Sequence, residues 1–495
     1  MLPANVLLEI FKIYINEATE TEEWHILVHV CPKWRSIVFS SPRHLRLCLQ
    51  LLCTTRTPVR ERLAIWPALP IAIVGSFAPT SLETSLVLVA GNIMVALSHG
   101  DRVCHIDLEH IPSHLLAFMT AALEEPLPAL TDLALDSDQN APVLPDTLLG
   151  GFAPRLRSLR LTRIPFPALP KLLLSATYLA TLHLWDIPHS GYISPEVMVT
   201  CLFTLTMLRS LRLGFQSPLS HPGRTRERLP GPSLAPTVHP TLASLEFKGV
   251  CEYLEDIIAR IEAPPLNDLR ITFFNQLVFD TPQLSQFISH TKTFSILHQA
   301  DLVFHSDFVE VRLTGQAGEA SSRTLVLGIS CTQSDWQLSS LTQVCVSFLA
   351  ALECIHIRED RGSQPHWHDD VENSQWLELL HSFTTVKDLY LSSIIGPHIM
   401  SALGGLTGER VTEVLPSLQS IFLEPLPSQH LWKTVENFVS ARQLSGLPVR
   451  VDNWYPYVGW GNATGWYDVT RWGDVPEGTV TGWPGDDGWI DAGGC

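Results

Sequence analysis

One six-residue pattern constrains the fold of this 495-residue chain more than any other feature: L-x-x-L-x-L, with Val, Ile or Phe allowed at the apolar places. It starts at Val103, Leu130, Leu156, Leu179, Leu208, Leu242 and Leu266, and again at Leu352, Val386 and Leu418. Within each run the starts lie 23 to 34 residues apart, by subtraction of those numbers. An L-x-L alternation puts both leucines on one face of a strand, and only a stacked neighbouring unit can bury that face. The units should therefore line up side by side, with "DTLLGGFA", "PEVMVTCLFTLT" and "CEYLEDIIARI" as helix-like stretches behind the strands. An all-helical stack would need 3.6-residue spacing, which the L-x-L alternation contradicts.

The pattern lapses between Leu266 and Leu352, an interval with room for two degenerate units near "LHQADL" and "SRTLVL". Ahead of Val103, "HLRLCLQLL" and "ALPIAIVG" read as two earlier strands that join the start of the chain to the array without a flexible linker. Leu219 to Pro240, rich in Pro, Gly and charge, reads as a loop inserted in one unit. From Trp454 the composition changes. Trp454, Trp460, Trp466, Trp472, Trp483 and Trp489 stand among Gly and Asp with few aliphatic residues, which predicts a disordered acidic tail, free for a partner or for folding back on the last unit. In spacing and pattern the body is similar to leucine-rich repeat proteins.

The first 45 residues follow a different rule. Val6, Leu7, Ile10, Phe11 and Tyr14 fall on one helical stripe after Pro3; Trp24, Leu27, Val28 and Cys31 form a second. Pro32 opens a third helix carrying Trp34, Ile37 and Val38. Three helices in about 40 residues bury too little apolar surface to stand alone, so they should dock onto something. The run "LPANVLLEIF", then Trp24, then "LVHVCPKWRSIV" resembles the F-box, with its Leu-Pro start and its Val-Cys-x-x-Trp helix; Asn5 departs from the acidic residue many F-boxes carry there.

Composition narrows the function classes. With 33 basic against 50 acidic residues the net charge is −17, which excludes the footprint of a general nucleic-acid binder. Ten cysteines are scattered singly with no C-x-x-C pair, as expected in a reducing compartment, the cytoplasm and/or nucleus. No secretory leader and no membrane-spanning run is legible. Asn462-Ala463-Thr464 is a glycosylation sequon in form only. H-E-x-x-H, G-x-S-x-G and the P-loop pattern are all missing. "HWHDD" (His366, His368, Asp369, Asp370) has metal-ligand types but sits in a loop composition, and reads as a solvated loop. Cys201 and Cys251 read as small core residues. No catalytic group, metal or cofactor is therefore expected.

Within each strand the residue between the two apolar ones faces the open side. These are Ala134, Arg160, His183, Arg212, Glu246 and Arg270, then His356, Tyr390 and Phe422, with Trp185 and Arg358 just beyond their strands' second apolar residue. Arg160, His183, Arg212 and Arg270 would make a cationic row able to take an acidic or phosphorylated segment of a target protein; plain solvated strand residues are the alternative. Target-binding candidates are thus Arg160, His183, Trp185, Arg212, Arg270, His356, Arg358 and Tyr390.

The fold expected is an α/β solenoid: a three-helix F-box over residues 1–45, a curved leucine-rich-repeat array over 46–453 with a parallel sheet on its concave face, and a tail over 454–495. Resemblance to F-box proteins with leucine-rich repeats implies the substrate-recognition subunit of a cullin-RING (SCF-type) ubiquitin ligase. Its helices would hold the adaptor through Leu2, Pro3, Leu7, Ile10, Leu27, Val30, Cys31 and Trp34, the cullin would join through that adaptor, and the repeats would hold an unknown target protein. A stand-alone repeat protein that masks or inhibits a partner is the other reading.

Overall fold

The computed structural model describes residues 2–17, 24–42, 44–53, 58–66, 68–77, 83–138, 141–218, 236–276, 278–291, 293–294, 297–314, 324–331, 334–345, 352–360, 373–424 and 429–454. Three helices come first: α1 (Ala4–Glu17), α2 (Trp24–Val30) and α3 (Pro32–Ser40). The strands are β1 (Leu49–Leu52), β2 (Ile71–Ser76), β3 (Val103–Ile111), β4 (Asp132–Ser137), β5 (Ser158–Thr162), β6 (Thr181–Ile187) and β7 (Ser210–Phe215). They continue as β8 (Thr237–Val238), β9 (Ser244–Gly249), β10 (Ile261–Glu262), β11 (Asp268–Phe274), β12 (Gln299–Phe304), β13 (Phe308–Thr314) and β14 (Thr324–Ser330). The last four are β15 (Cys354–Glu359), β16 (Asp388–Leu391), β17 (Ser420–Leu423) and β18 (Arg450–Asn453).

Sixteen of these strands form one sheet, in the order β1-β2-β3-β4-β5-β6-β7-β9-β11-β14-β13-β12-β15-β16-β17-β18. Its ladders are parallel except for the two that β13 makes. All ten repeated patterns run into strands of this sheet, and "HLRLCLQLL" and "ALPIAIVG" supply β1 and β2. The L-x-L leucines turn to one side and are buried: Leu159 and Leu161, Leu182 and Leu184, Leu211 and Leu213. Helices such as Pro195–Thr204, Cys251–Ile258 and Pro282–His290 cover that side. "DTLLGGFA" forms only a short 3-10 turn, Leu148–Gly151, because Leu149 and Gly150 take φ of 58° and 69° and break the helix. The chain is thus an α/β solenoid.

Polar side chains stitch successive units together where backbone groups would otherwise be orphaned. The buried Glu255 carboxylate accepts from the backbone N–H of Gln283 and Leu284, both at 2.8 Å, and so caps the start of the next helix. Asn92 accepts from the Val59 N–H at 3.1 Å and donates to the Cys53 carbonyl at 3.3 Å.

Two stretches depart from the sequence reading. "LHQADL" and "SRTLVL" do enter strands, β12 and β14, but not as two successive units. After β11 the chain crosses to β12, turns back through antiparallel β13, and returns as β14 beside β11; β15 then follows beside β12. A tight turn closed by His305 N–H donating to the Phe308 carbonyl at 2.9 Å enforces the reversal, since so short a connection can join only antiparallel strands. The expected loop over Leu219–Pro240 contains a short strand at its end: β8 pairs in parallel with β10 in a separate two-stranded ladder. Residues 219–235 of that loop, the "HWHDD" run and the tail after Trp454 lie outside the described residues.

The N-terminal helices are fastened to the first strands. Pro32 opens α3 after an extended Cys31 (φ −160°, ψ 163°). Phe11 of α1 meets Trp34 of α3 with ring centroids 4.7 Å apart. Trp24, 1 % exposed, packs edge-on against Trp66 at 5.3 Å, and its indole Nε1 donates to the Cys48 carbonyl at 3.2 Å. At the other end of the solenoid, the helix Gln429–Leu444 is tied down by Arg442, whose fully buried guanidinium donates to the carbonyls of Val411, Leu415 and Leu418 at 3.0, 3.3 and 3.3 Å.

Candidate functional site

Two surfaces carry the residues singled out from the sequence. The first lies on the N-terminal helices. Residues one position apart in a helix are rotated by about 100°, so α1 carries two apolar stripes rather than the single one expected. Leu7 and Phe11 point inward and are buried, while Val6, Ile10 and Ile13 stay exposed. On α2, Trp24, Leu27 and Val28 are buried and Ile26 and Val30 are exposed. Of the eight adaptor candidates, Leu2, Pro3, Ile10 and Val30 are exposed, Ile10 at 45 % and Val30 at 56 %. Cys31 and Trp34 are half-buried; Leu7 and Leu27 are enclosed and hold the helices together. Sequence reasoning did not single out Ile13 or Ile26 as exposed, because a 3.6-residue period marks a helix's apolar positions without saying which stripe meets its neighbours.

The backbone of this surface is fixed by polar contacts. Lys33 Nζ donates to the Leu2 carbonyl at 3.3 Å, and Arg35 Nε to the Val28 carbonyl at 3.0 Å. Leu2, Val6, Ile10, Ile13, Ile26 and Val30 thus sit exposed on helices held in place, an arrangement typical of protein contact sites.

The second surface is the sheet face turned away from the helices. Register places Arg160, His183, Arg212, Glu246 and Arg270 in one cross-strand row, continuing through Val326, Arg312 and Asp301 to His356, Tyr390 and Phe422. The four expected cations are therefore aligned, but the row is not a cationic strip. Arg212 forks onto Glu246, with both nitrogen–oxygen distances at 2.9 Å, and Arg270 pairs with Asp268 at 3.1 Å. Pairs this exposed are worth about 1 kcal/mol or less, so an incoming carboxylate would merely exchange with Glu246. Arg160 alone of the three arginines is exposed with no ion pair among the described residues.

His183 is not a cation at neutral pH. Burial first, then the charges of Arg160 and Arg212, push its imidazole down to about 4, and Nε2 lies 3.0 Å from Ser210 Oγ. Because the folded value lies below the ordinary 6.5, the unfolded chain takes up the proton first, and stability falls as pH drops from about 6.5 towards 4. NMR of the imidazole should give a midpoint near 4, and His183→Gln should lessen the loss of stability between neutral and acid pH. A midpoint near 6.5 would contradict this environment.

Two aromatic clusters stand on this face instead. Trp185 lies under Arg212, whose guanidinium is 4.1 Å from the ring centroid, with Lys248 Nζ at 5.7 Å. Lys248 also pairs with Asp186 at 3.2 Å, a residue in the left-handed region at φ 49°. Gly214 makes room for the indole: a Cβ there would meet Trp185 Cε3 at 2.5 Å. Farther along the sheet, His356 stacks on Tyr390 at 4.2 Å and Tyr390 on Phe422 at 4.3 Å. Trp454 packs edge-on against His356 and Tyr390, at 5.5 and 5.6 Å. Arg358 beside them is bound through two hydrogen bonds, 3.0 and 2.9 Å, to the buried Asp301. Between the clusters both faces of β12 and β14 are largely buried, which divides the open surface into two patches. The pairing of Arg212, Arg270 and Arg358 escaped the sequence reading because the partners lie on other strands or point along their own; Glu246 was legible as a face position, Asp301 was not.

Among the described residues no group of three or more His, Cys, Asp or Glu is placed to hold a metal ion, and no helix is long and apolar enough to cross a membrane. No family model and no curated protein matches this chain. Among solved structures the chain is similar to the leucine-rich repeat-containing protein LegL7 from Legionella pneumophila. The identity is 11 %, over 79 % of this chain and 97 % of that one, with a TM-score of 0.25.

Proposed function

We propose that this chain is the substrate-recognition subunit of a cullin-RING (SCF-type) ubiquitin ligase, acting in the cytoplasm or nucleus. In this reading the three N-terminal helices are an F-box that docks the adaptor and, through it, the cullin; the open face of the repeats binds a target protein, and catalysis belongs to other subunits. The observation that carries the reading is the exposed apolar surface of Leu2, Val6, Ile10, Ile13, Ile26 and Val30, on helices whose other face is already committed to the solenoid. Covering these side chains would contribute about 1 kcal/mol each. The sum, about 6 kcal/mol, is comparable with the lower end of what association costs, so polar contacts at the rim must add to it.

Target binding falls to the two aromatic patches, where Trp185 and the His356–Tyr390–Phe422 stack offer rigid, partly exposed rings of the kind that anchor protein partners. The full-length chain carrying Ile10→Asp and Val30→Asp should lose adaptor and cullin on co-purification by about tenfold or more while keeping its circular dichroism and melting behaviour. Neither residue is buried, so folding should not suffer. Undiminished recovery of both subunits would remove the ligase role and leave a stand-alone repeat protein.

A further inference from the structure

Cys48 and Cys104 play no part in either surface, yet the fold brings them together across 56 positions of sequence with their sulfurs 3.7 Å apart. Both are half-buried. Cys48 immediately precedes β1; Cys104 sits in β3, next to the irregularity where β3 slips register against β2. The strand between them is β2, whose Ile71 carbonyl accepts from Cys104 Sγ at 3.3 Å. Their approach is set by backbone: Leu49 N–H donates to the Pro70 carbonyl at 2.8 Å, and Ile71 N–H to the Arg102 carbonyl at 2.9 Å.

These thiols differ from the others. Burial pushes Cys53 and Cys251 up to about 12 and Cys201 up to about 11, which keeps them protonated and inert. A hydrogen bond from Cys48 draws the Cys104 thiol below its ordinary value instead, favouring the thiolate that attacks a disulfide. Bond formation requires the sulfurs to close to about 2.05 Å, a movement within reach of side-chain rotation.

We propose that Cys48 and Cys104 are a redox modification site, a reversible disulfide that staples the base of the helical cap to the third strand of the solenoid. With oxidised glutathione as oxidant, the Cys104 thiolate attacks one glutathione sulfur and expels the other as a thiolate. Cys48 then loses its proton and attacks the Cys104 sulfur, expelling the second glutathione. Two protein thiols are oxidised to one disulfide, and one glutathione disulfide is reduced to two thiols.

The site's position gives the staple its effect. β1 is the edge strand of the sheet, and terminal units of a repeat array open first because they have one neighbour instead of two. The Cys48 carbonyl is also the acceptor for Trp24, the anchor of α2. A bond that skips over β2 fastens both at once.

The test uses full-length protein incubated with oxidised glutathione, mapped by non-reducing peptide analysis and by hydrogen exchange. A Cys48–Cys104 cross-linked peptide should appear, vanish on treatment with dithiothreitol, and be missing in Cys48→Ser and Cys104→Ser. In the oxidised wild-type chain, exchange of the β1 amides should slow by at least about tenfold. Separate glutathione adducts on the two cysteines, two thiols that both stay alkylatable, or a cross-link that leaves β1 exchange unchanged would each overturn the proposal. None of these results bears on the ligase reading, since the adaptor surface lies elsewhere on the helices.

Discussion

Trp24→Ala is expected to detach the N-terminal helices from the solenoid at a cost of about 3–5 kcal/mol, the usual loss for truncating an enclosed tryptophan. The indole is 1 % exposed and joins three elements: it lies against Trp66 and against Phe39 of α3, and it holds the Cys48 carbonyl ahead of β1. Alanine would leave a cavity between helices and strands and a carbonyl without its donor. Because each unit of a repeat array contacts only its neighbours, the damage should stay local. Hydrogen exchange over α1 to α3 should rise sharply, with a new transition at low denaturant, while β4 to β7 keep their protection. A single unfolding transition displaced as a whole would show that the cap and the array fold as one unit, contrary to this account.

At the opposite end, Arg442→Ala should cost about 3 kcal/mol and loosen the last helix and β18. The guanidinium is fully enclosed and serves three backbone carbonyls that lie between the turn after Val411 and the entry to β17. Each stranded acceptor costs about 1 kcal/mol, and the emptied space adds to that. Arg442→Lys keeps the charge but not the planar fork, so it should rescue little. The readout is exchange protection in the helix Gln429–Leu444 and in β18. Wild-type protection in the lysine variant would mean that charge, not geometry, holds the terminus.

Strand positions were legible residue by residue because the signal is local. In "LRSLRL" or "LATLHL" an alternation of period two decides both that the segment is extended and which side chains are buried, and the structure places these leucines as the pattern requires. The three opening helices were legible for the same reason, since Pro32 and the stripes of α1 and α2 are short-range features. The open-face row followed from that alternation together with a constant stacking register, which is why Arg160, His183 and Arg212 do stand side by side.

Whatever depends on residues far apart in the chain came only with the tertiary structure. Charges on the row looked additive in the sequence, but Glu246, 34 positions from Arg212, arrives directly beside it and cancels it. The electrostatic character of His183 depends on burial and on two arginines from neighbouring strands. The reversal of β12, β13 and β14 depends on a turn between two segments that each read as plain alternating strands. The amino-acid sequence by itself determined the element types, the period of the array and which strand positions face its core. The neighbour each strand chose, which helix stripe stayed exposed and which charges were neutralised were decided by packing, because a pairing energy exists only once the fold brings both partners together.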